Sequence, residues 1–241
     1  MLNKYIRSNN IFQLFSPFLP EDHSHTITAT YYPKRLLRKT NDSINVLDLG
    51  CGAGNSIDMF RKISSLICWF GIDVEDSPEG RNRTRNNGNF KTYDGVNLPY
   101  ENDFFDFIYT QQVLEHVRYP DDLLGNVYRV LKQGGCFAGS VSYLEPYHSY
   151  SIYNFTPHGL IVCLRDAGFD LLEIRPGIDV LAMIVRQMLN APRWLNWFIN
   201  NASPFDIFVN LIGILFGMGH KEQNFLKVQF AGQICFLAKK S

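Results

Sequence analysis

The chain has 241 residues, 46% of them hydrophobic, with 23 lysines and arginines against 23 aspartates and glutamates. That length buries one sizeable core, so a single domain with an elaboration is the natural count. The balanced charge excludes an overall basic field, and nucleic acid is not an expected partner.

At the start of the chain, residues 12–19 are apolar, but Pro17 and Pro20 interrupt them and no small-residue cleavage site follows. No signal peptide is therefore expected. Lys34, Arg35, Arg38 and Lys39 come next and, like Arg81, Arg83 and Arg85 further on, are read as solvated surface. Residues 44–49 form an apolar run suited to a buried parallel strand. Gly50, Gly52 and Gly54 follow it, around Cys51, and let the backbone turn sharply and approach a ligand without Cβ interference. From Asn55, apolar residues at Ile57, Met59, Phe60, Ile63 and Leu66 have helical spacing. Strand, glycine turn and helix make a cofactor cradle at the carboxyl edge of a sheet.

Residues 68–72 are a second apolar run, closing on Asp73 and Val74. An acid at that place accepts the ribose hydroxyls of a nucleoside and does not by itself choose the cofactor. A third strand is expected at 90–93, with Asp94 and Gly95 just past it, where an acid before glycine also makes an ordinary turn. A fourth strand is expected over 105–109. The segment after it begins at 113–117, and helical spacing continues through Val127, Val130 and Leu131, with Gly134 and Gly135 stopping the helix. A fifth strand is expected over 136–141.

The glycine pattern is G-x-G-x-G with Asp48 inside the strand end, unlike the G-x-G-x-x-G of a dinucleotide site. With the ordered segments Leu98-Pro99-Tyr100, Phe105-Asp106, Leu114-Glu115-His116-Val117, Arg129-Val130-Leu131-Lys132 and Gly134-Gly135, the stretch from Asn45 to Gly177 closely resembles class I S-adenosylmethionine-dependent methyltransferases. The group resembled is the one typified by ubiquinone and sterol methylating enzymes. The resemblance implies an α/β fold, a doubly wound, mostly parallel seven-stranded sheet with an antiparallel last strand. It implies S-adenosylmethionine as cofactor. In such enzymes the glycine loop lies against the methionine part of the cofactor, which here assigns Gly50, Cys51, Gly52 and Gly54, supported by Asp48. Asp73 with Val74 would hold the ribose, Asp94 with Gly95 the adenine, and Gln111 and Gln112 the methionine end or the acceptor mouth. A nicotinamide oxidoreductase is the first rival; the missing third glycine and the LEHV and RVLK segments oppose it. A catalytically silent protein that binds the cofactor is the second.

Residues 142–159 hold Tyr143, Tyr147, Tyr150, Tyr153, His148, His158 and Glu145, in a segment leaving the ligand edge of the sheet. This stretch resembles methyltransferases of bacterial glycan-building loci. A hydroxyl acceptor benefits from a base, and His148 is the first candidate, with His116 second. Tyr143, Glu145, Tyr147 and Tyr150 are candidate acceptor contacts, although aromatic clusters also serve as packed lids. Thr156 and Pro157 then open a helix that runs to Gly168, and a sixth strand is expected over 169–174.

The expected division is an N-terminal extension (1–43), a cofactor-binding core (44–177), a helical insertion (178–226) and a last strand (227–241, with its apolar part from Val228). The insertion contains helical spacing over 180–189, an aromatic stretch with Trp194 and Trp197, and a helix opened by Ser203-Pro204. Its uncharged run at 207–219 is too short to span a bilayer. A helical cap, an oligomer contact and a membrane-surface element through 178–219 compete as readings. The five cysteines are scattered, without a C-x-x-C pair, which suits a reducing cytoplasm and no zinc site. The acceptor expected is a small molecule or a glycan, free or lipid-linked. A cytoplasmic enzyme is the expectation, with the inner face of the membrane as the alternative place.

Overall fold

The apolar runs become β1 (Ile44–Leu49), β2 (Ile67–Val74), β3 (Asn89–Tyr93), β4 (Phe105–Gln111), β5 (Leu131–Ser142), β6 (Asp170–Pro176) and β7 (Gln233–Lys239). The computed structural model describes residues 2–39, 41–146, 149–195 and 202–241. The strands join in one sheet of order β3-β2-β1-β4-β5-β7-β6. β1 runs parallel to β2 and β4, while β7 lies antiparallel between β5 and β6. The doubly wound sheet with an antiparallel last strand is thus the architecture observed.

Helices cover both faces: α1 (Leu2–Arg7), α2 (Asn10–Phe15), α3 (Tyr31–Leu36), α4 (Ser56–Ile63), α5 (Pro78–Arg81), α6 (Pro120–Val130), α7 (Pro157–Asp166), α8 (Val180–Met188), α9 (Pro204–Leu215) and α10 (His220–Gln229). Strand residues alternate between two cores, as the pleat requires. Leu47, Leu49 and Ile108 pack with Leu124 and Val127 of α6 and Leu160 of α7. Val46, Phe107 and Tyr109 pack on the other face with Phe60 of α4 and Tyr32 of α3. Burying a side chain such as Phe107 or Phe60 contributes roughly 1.5–3 kcal/mol. Thr156 caps α7 by accepting from the Gly159 N–H, and Ser203 caps α9 in a reciprocal pair with Asp206.

Three boundaries differ from the sequence reading. Gly134 and Gly135 lie inside β5, and the preceding helix ends at Val130. Its last carbonyls are held by a distant cation: Lys240 Nζ donates to the carbonyls of Tyr128 and Leu131, 2.8 Å from each. The last strand starts at Gln233, because residues 220–229 form α10. The helix after the glycine turn, α4, ends at Ile63, and Ile67 already belongs to β2. All five cysteines are free; Cys68 is exposed and Cys163 sits on α7.

The insertion and the N-terminal segment are locked together. Lys227 of α10 and Asp206 of α9, 2% and 3% exposed, lie 3.5 Å apart. Lys227 also donates to the Ser24 carbonyl (2.5 Å), and Thr26 donates to Asp206 (2.6 Å). Burial lowers the pKa of Lys227, while Asp206 opposes that shift. Removing either charge alone would strand the other.

Candidate functional site

The glycine turn is pinned to the end of β2. Gly50 N and Cys51 N both donate to the Ile72 carbonyl, at 2.8 and 3.0 Å. Gly50 has φ +75°, and a Cβ there would stand 2.2 Å from Val113 Cγ2. Gly54 has φ +77°, with a Cβ position 2.7 Å from Phe90 Cζ. Only glycine meets both conditions, left-handed backbone and contact with the following elements. Gly52 N donates to Asp73 Oδ2 (2.7 Å), and Val74 N to Asp73 Oδ1 (2.8 Å). Asp73 is 8% exposed, so two backbone N–H groups hold its carboxylate in place at the edge of the cradle.

Asp48 is buried in β1 and accepts from the Ser56 hydroxyl, which in turn accepts from Trp69 Nε1 (2.9 Å). Burial pushes its pKa up to about 7, with the Asp73 charge adding to the rise and the Ser56 bond opposing it. Burial pushes the Cys51 thiol, 7% exposed, up to about 12. Asp94 is exposed and accepts from Val96 N (2.9 Å), Asn97 N and Asn97 Nδ2 (2.6 Å each). The Asn97 side-chain bond, followed by the backbone bonds, holds its pKa below the usual carboxylate value. The turn role is therefore present, beside Gly95 at φ +92°.

Arg83 was read as solvated surface, yet its Nε donates to the Gly52 carbonyl (2.9 Å) and its guanidinium lies 4.2 Å from the Phe90 ring centroid. It fastens the segment after β2 to the back of the glycine turn. Arg35 likewise pairs with Glu173 (2.6 Å), and Arg85 with Asp58 (2.5 Å).

Past the end of β4, Gln112 holds φ +53°, a costly backbone for a residue with a side chain. Its N–H donates to the Ser140 carbonyl (2.9 Å), which fixes the turn. The amide then reaches Ser142 Oγ (3.2 Å) and Glu145 Oε2 (2.5 Å). Gln111 accepts from the Tyr109 hydroxyl (2.7 Å). Both glutamines face a cavity of about 480 Å³ that also takes in Ser140, Glu145, Gln233 and, from α8, Arg186 and Gln187. It opens at the carboxyl ends of β4 and β5, the side where the glycine turn leaves β1.

The other acceptor-side candidates are dispersed. Tyr143 packs against the core, Tyr150 is 76% exposed, and neither lines the cavity. His116 closes a 3-10 turn (Leu114–His116) and is not among the cavity residues. Tyr147 and His148 lie outside the described residues. Sequence reasoning missed Glu115, Ser142, Gln233 and the contribution of α8. No group of three or more histidine, cysteine or carboxylate side chains among the described residues could hold a metal ion.

This strand-turn-acid arrangement defines the class of S-adenosylmethionine-dependent methyltransferase folds. Residues 28–174 match the methyltransferase domain family, and the chain belongs to it. Its cofactor is S-adenosylmethionine. The residues fit that group: a turn closed to side chains, a fixed acid after β2, and a polar cavity beyond β4. Among curated proteins, the methyltransferase GfsG of Streptomyces halstedii is 30% identical over 99 residues, covering 39% of this chain and 36% of that protein. Cycloartenol-C-24-methyltransferase 1 of Oryza sativa subsp. japonica is 29% identical over 101 residues, 39% of this chain and 29% of that protein. The matches therefore span about a third of those relatives. A putative sarcosine dimethylglycine methyltransferase from Galdieria sulphuraria shares the fold with a TM-score of 0.58 at 15% identity, covering 87% of this chain and 82% of that one. The [4+2]-cyclase SpnF does so at 0.56 and 18%, covering 95% and 94%. That likeness extends to a cyclase, so the fold by itself does not name the reaction.

Proposed function

We propose that this chain transfers a methyl group to a hydroxyl of a small polar molecule or a glycan, free or lipid-linked. The observation that carries the reading is the lining of the acceptor cavity, where amides, hydroxyls, a carboxylate and a guanidinium outnumber apolar groups. Such a lining hydrogen-bonds a polyhydroxylated acceptor, with Ile178, Met183 and Pro146 for its apolar faces. Bound S-adenosylmethionine supplies a methyl group on a positively charged sulfur, and the chain's own residues position it. Gly50, Cys51, Gly52 and Gly54 would receive its methionine part with Asp48 beneath. Asp73 and Val74 would receive the ribose, and Asp94 and Gly95 the adenine. Gln111 and Gln112 divide that seat from the acceptor. Tyr147 keeps its place as an acceptor contact, and His148, the base expected from the sequence, lies outside the described residues.

In this reading residues 44–177 carry the cofactor and 178–226 roof the acceptor. Leu181, Ile184, Val185 and Met188 of α8 are exposed on its outer side, as are Ile207, Phe208, Leu211 and Ile214 of α9. A lipid-linked acceptor would bring these faces to a membrane surface at the cytoplasmic side. No helix among the described residues is long and apolar enough to cross a membrane.

Calorimetric titration with S-adenosylmethionine and NADH side by side, followed by tritium transfer into metabolite extracts of the native host, tests the proposal. Binding of the first alone and a methoxy product are expected. Tight NADH binding, or a product methylated on nitrogen or carbon, would overturn it. Flotation with anionic liposomes tests the membrane clause, and a protein left wholly at the bottom of the gradient removes it.

A further inference from the structure

Ser142, at the carboxyl end of β5, stands between two acids. Its Oγ lies 2.7 Å from Glu115 Oε1 and 2.8 Å from Glu145 Oε2. A serine hydroxyl carries one proton and can donate to only one of them. Gln112 Nε2, a donor only, already approaches the same Oγ at 3.2 Å. The second short contact is a hydrogen bond only if the other carboxyl is protonated and donates to the serine.

Surroundings decide which acid holds that proton. Glu115 is wholly buried, and its Oε2 has no hydrogen-bond partner among the described residues. Its Oε1 accepts from Ser142 N (3.1 Å). An unpartnered oxygen in a buried place costs far less as the carbonyl of a neutral acid than as half of a carboxylate. Burial raises its pKa, against smaller opposing effects from its backbone and Ser142 hydrogen bonds and from His116. Glu145 is the reverse case. It borders the cavity, and its Oε2 faces three donors: Gln112 (2.5 Å), Ser142 (2.8 Å) and Gln233 (3.2 Å). With three donors meeting this one oxygen, Glu145 is the acceptor of the pair and Ser142 donates to it.

We propose that Glu115 is protonated and that Glu145, which accepts from Ser142, is the base that receives the proton of the acceptor hydroxyl. Glu115 and Ser142 are positioning residues: the neutral acid donates to the serine, and the serine donates to Glu145. The inference rests on the hydroxyl-acceptor reading. As the acceptor oxygen bonds to the methyl carbon, the carbon–sulfur bond breaks and its electron pair stays on sulfur. The hydroxyl proton passes to Glu145 and is returned to water when the product leaves.

Two measurements test the two halves separately. Near neutral pH, the infrared difference spectrum of wild type minus Glu115→Gln should show the C=O stretch of one protonated carboxyl, moving down in D2O. Asp48 contributes to both proteins and cancels. Glu145→Gln should keep that band. Its persistence in Glu115→Gln places the proton elsewhere and overturns the pairing, whatever the acceptor. In the second measurement, tritium from labelled S-adenosylmethionine is counted in hydroxylated products of a host metabolite extract. Glu145→Gln should lower the rate about 100-fold or more, the range for loss of a general base. Calorimetry with S-adenosylhomocysteine should meanwhile show unchanged affinity. Wild-type turnover in Glu145→Gln overturns the base. A product methylated on nitrogen or carbon overturns the acceptor reading, and leaves the infrared result to judge the proton alone.

Discussion

Asp48 makes the cradle's stability depend on pH in a direction opposite to that of an ordinary surface carboxylate. It is 4% exposed, and burial lifts its pKa from the usual 3.8 to about 7. In the unfolded chain it ionises near its ordinary value. Between those two values unfolding therefore releases a proton, and stability falls as pH rises. At 1.36 kcal/mol per unit, the loss attributable to this one group is about 1.6 kcal/mol at pH 5 and about 4 kcal/mol above pH 7. Asp48→Asn keeps the shape and still accepts from Ser56, but cannot ionise. Urea unfolding of both proteins from pH 5 to 8 should show the variant gaining on wild type by roughly 2–3 kcal/mol across that range. Wild-type and variant profiles that run parallel would refute the buried-acid account.

Three further outcomes follow from the geometry. Gly50→Ala puts a Cβ 2.2 Å from Val113 Cγ2 at φ +75°, so S-adenosylmethionine affinity by calorimetry and thermal stability should both fall, the latter by at least about 1–2 kcal/mol. Asp73→Ala removes an acceptor from the proposed ribose seat and frees the Gly52 N–H; cofactor affinity should drop roughly tenfold or more, about 1.4 kcal/mol, with a small loss of stability. Unchanged affinity would sink the ribose assignment. Lys227→Met leaves the Asp206 carboxylate buried without its cation, which should cost about 3–5 kcal/mol in urea unfolding, and adding Asp206→Asn should restore part of it.

Much of the cofactor half was legible because local chemistry determines it. β1 reads as an apolar run, its turn as alternating glycines, and α7 and α9 as Thr-Pro and Ser-Pro caps. α10 was not legible, since the face it buries carries Glu222, Gln223, Asn224 and Lys227, which erases apolar periodicity. The end of α6 was misplaced because its cap, Lys240, arrives from the far end of the chain. The site shows the same division. Glycines and Asp73 announce themselves at fixed spacing, while the positive φ of Gln112 and the Glu115–Ser142–Glu145 contact depend on how β4 and β5 stop beside each other. Tertiary registers of that kind leave no local signal.

The division also bears on how the acceptor is chosen. The family match ends at residue 174. The cavity residues Ile178, Met183, Arg186, Gln187 and Gln233 all lie beyond it. Gln112 and Glu145 are contributed by the core and Ile178, Met183, Arg186 and Gln187 by the insertion, so the cavity is lined by both. The aromatic loop from Tyr143 and the insertion were both expected to select the acceptor; the loop brings Glu145 to the cavity, while Tyr143 packs against the core and Tyr150 is exposed. α8 fits the task better, with a cavity side bearing Arg186 and Gln187 and an outer side bearing Leu181, Ile184, Val185 and Met188. If one helix both lines the acceptor cavity and meets the acceptor's surroundings, charge changes at Arg186 should alter which acceptor is methylated. Apolar-to-polar changes at Met188 should alter only how a lipid-borne acceptor is reached, and substitutions at either position should leave S-adenosylmethionine affinity unchanged.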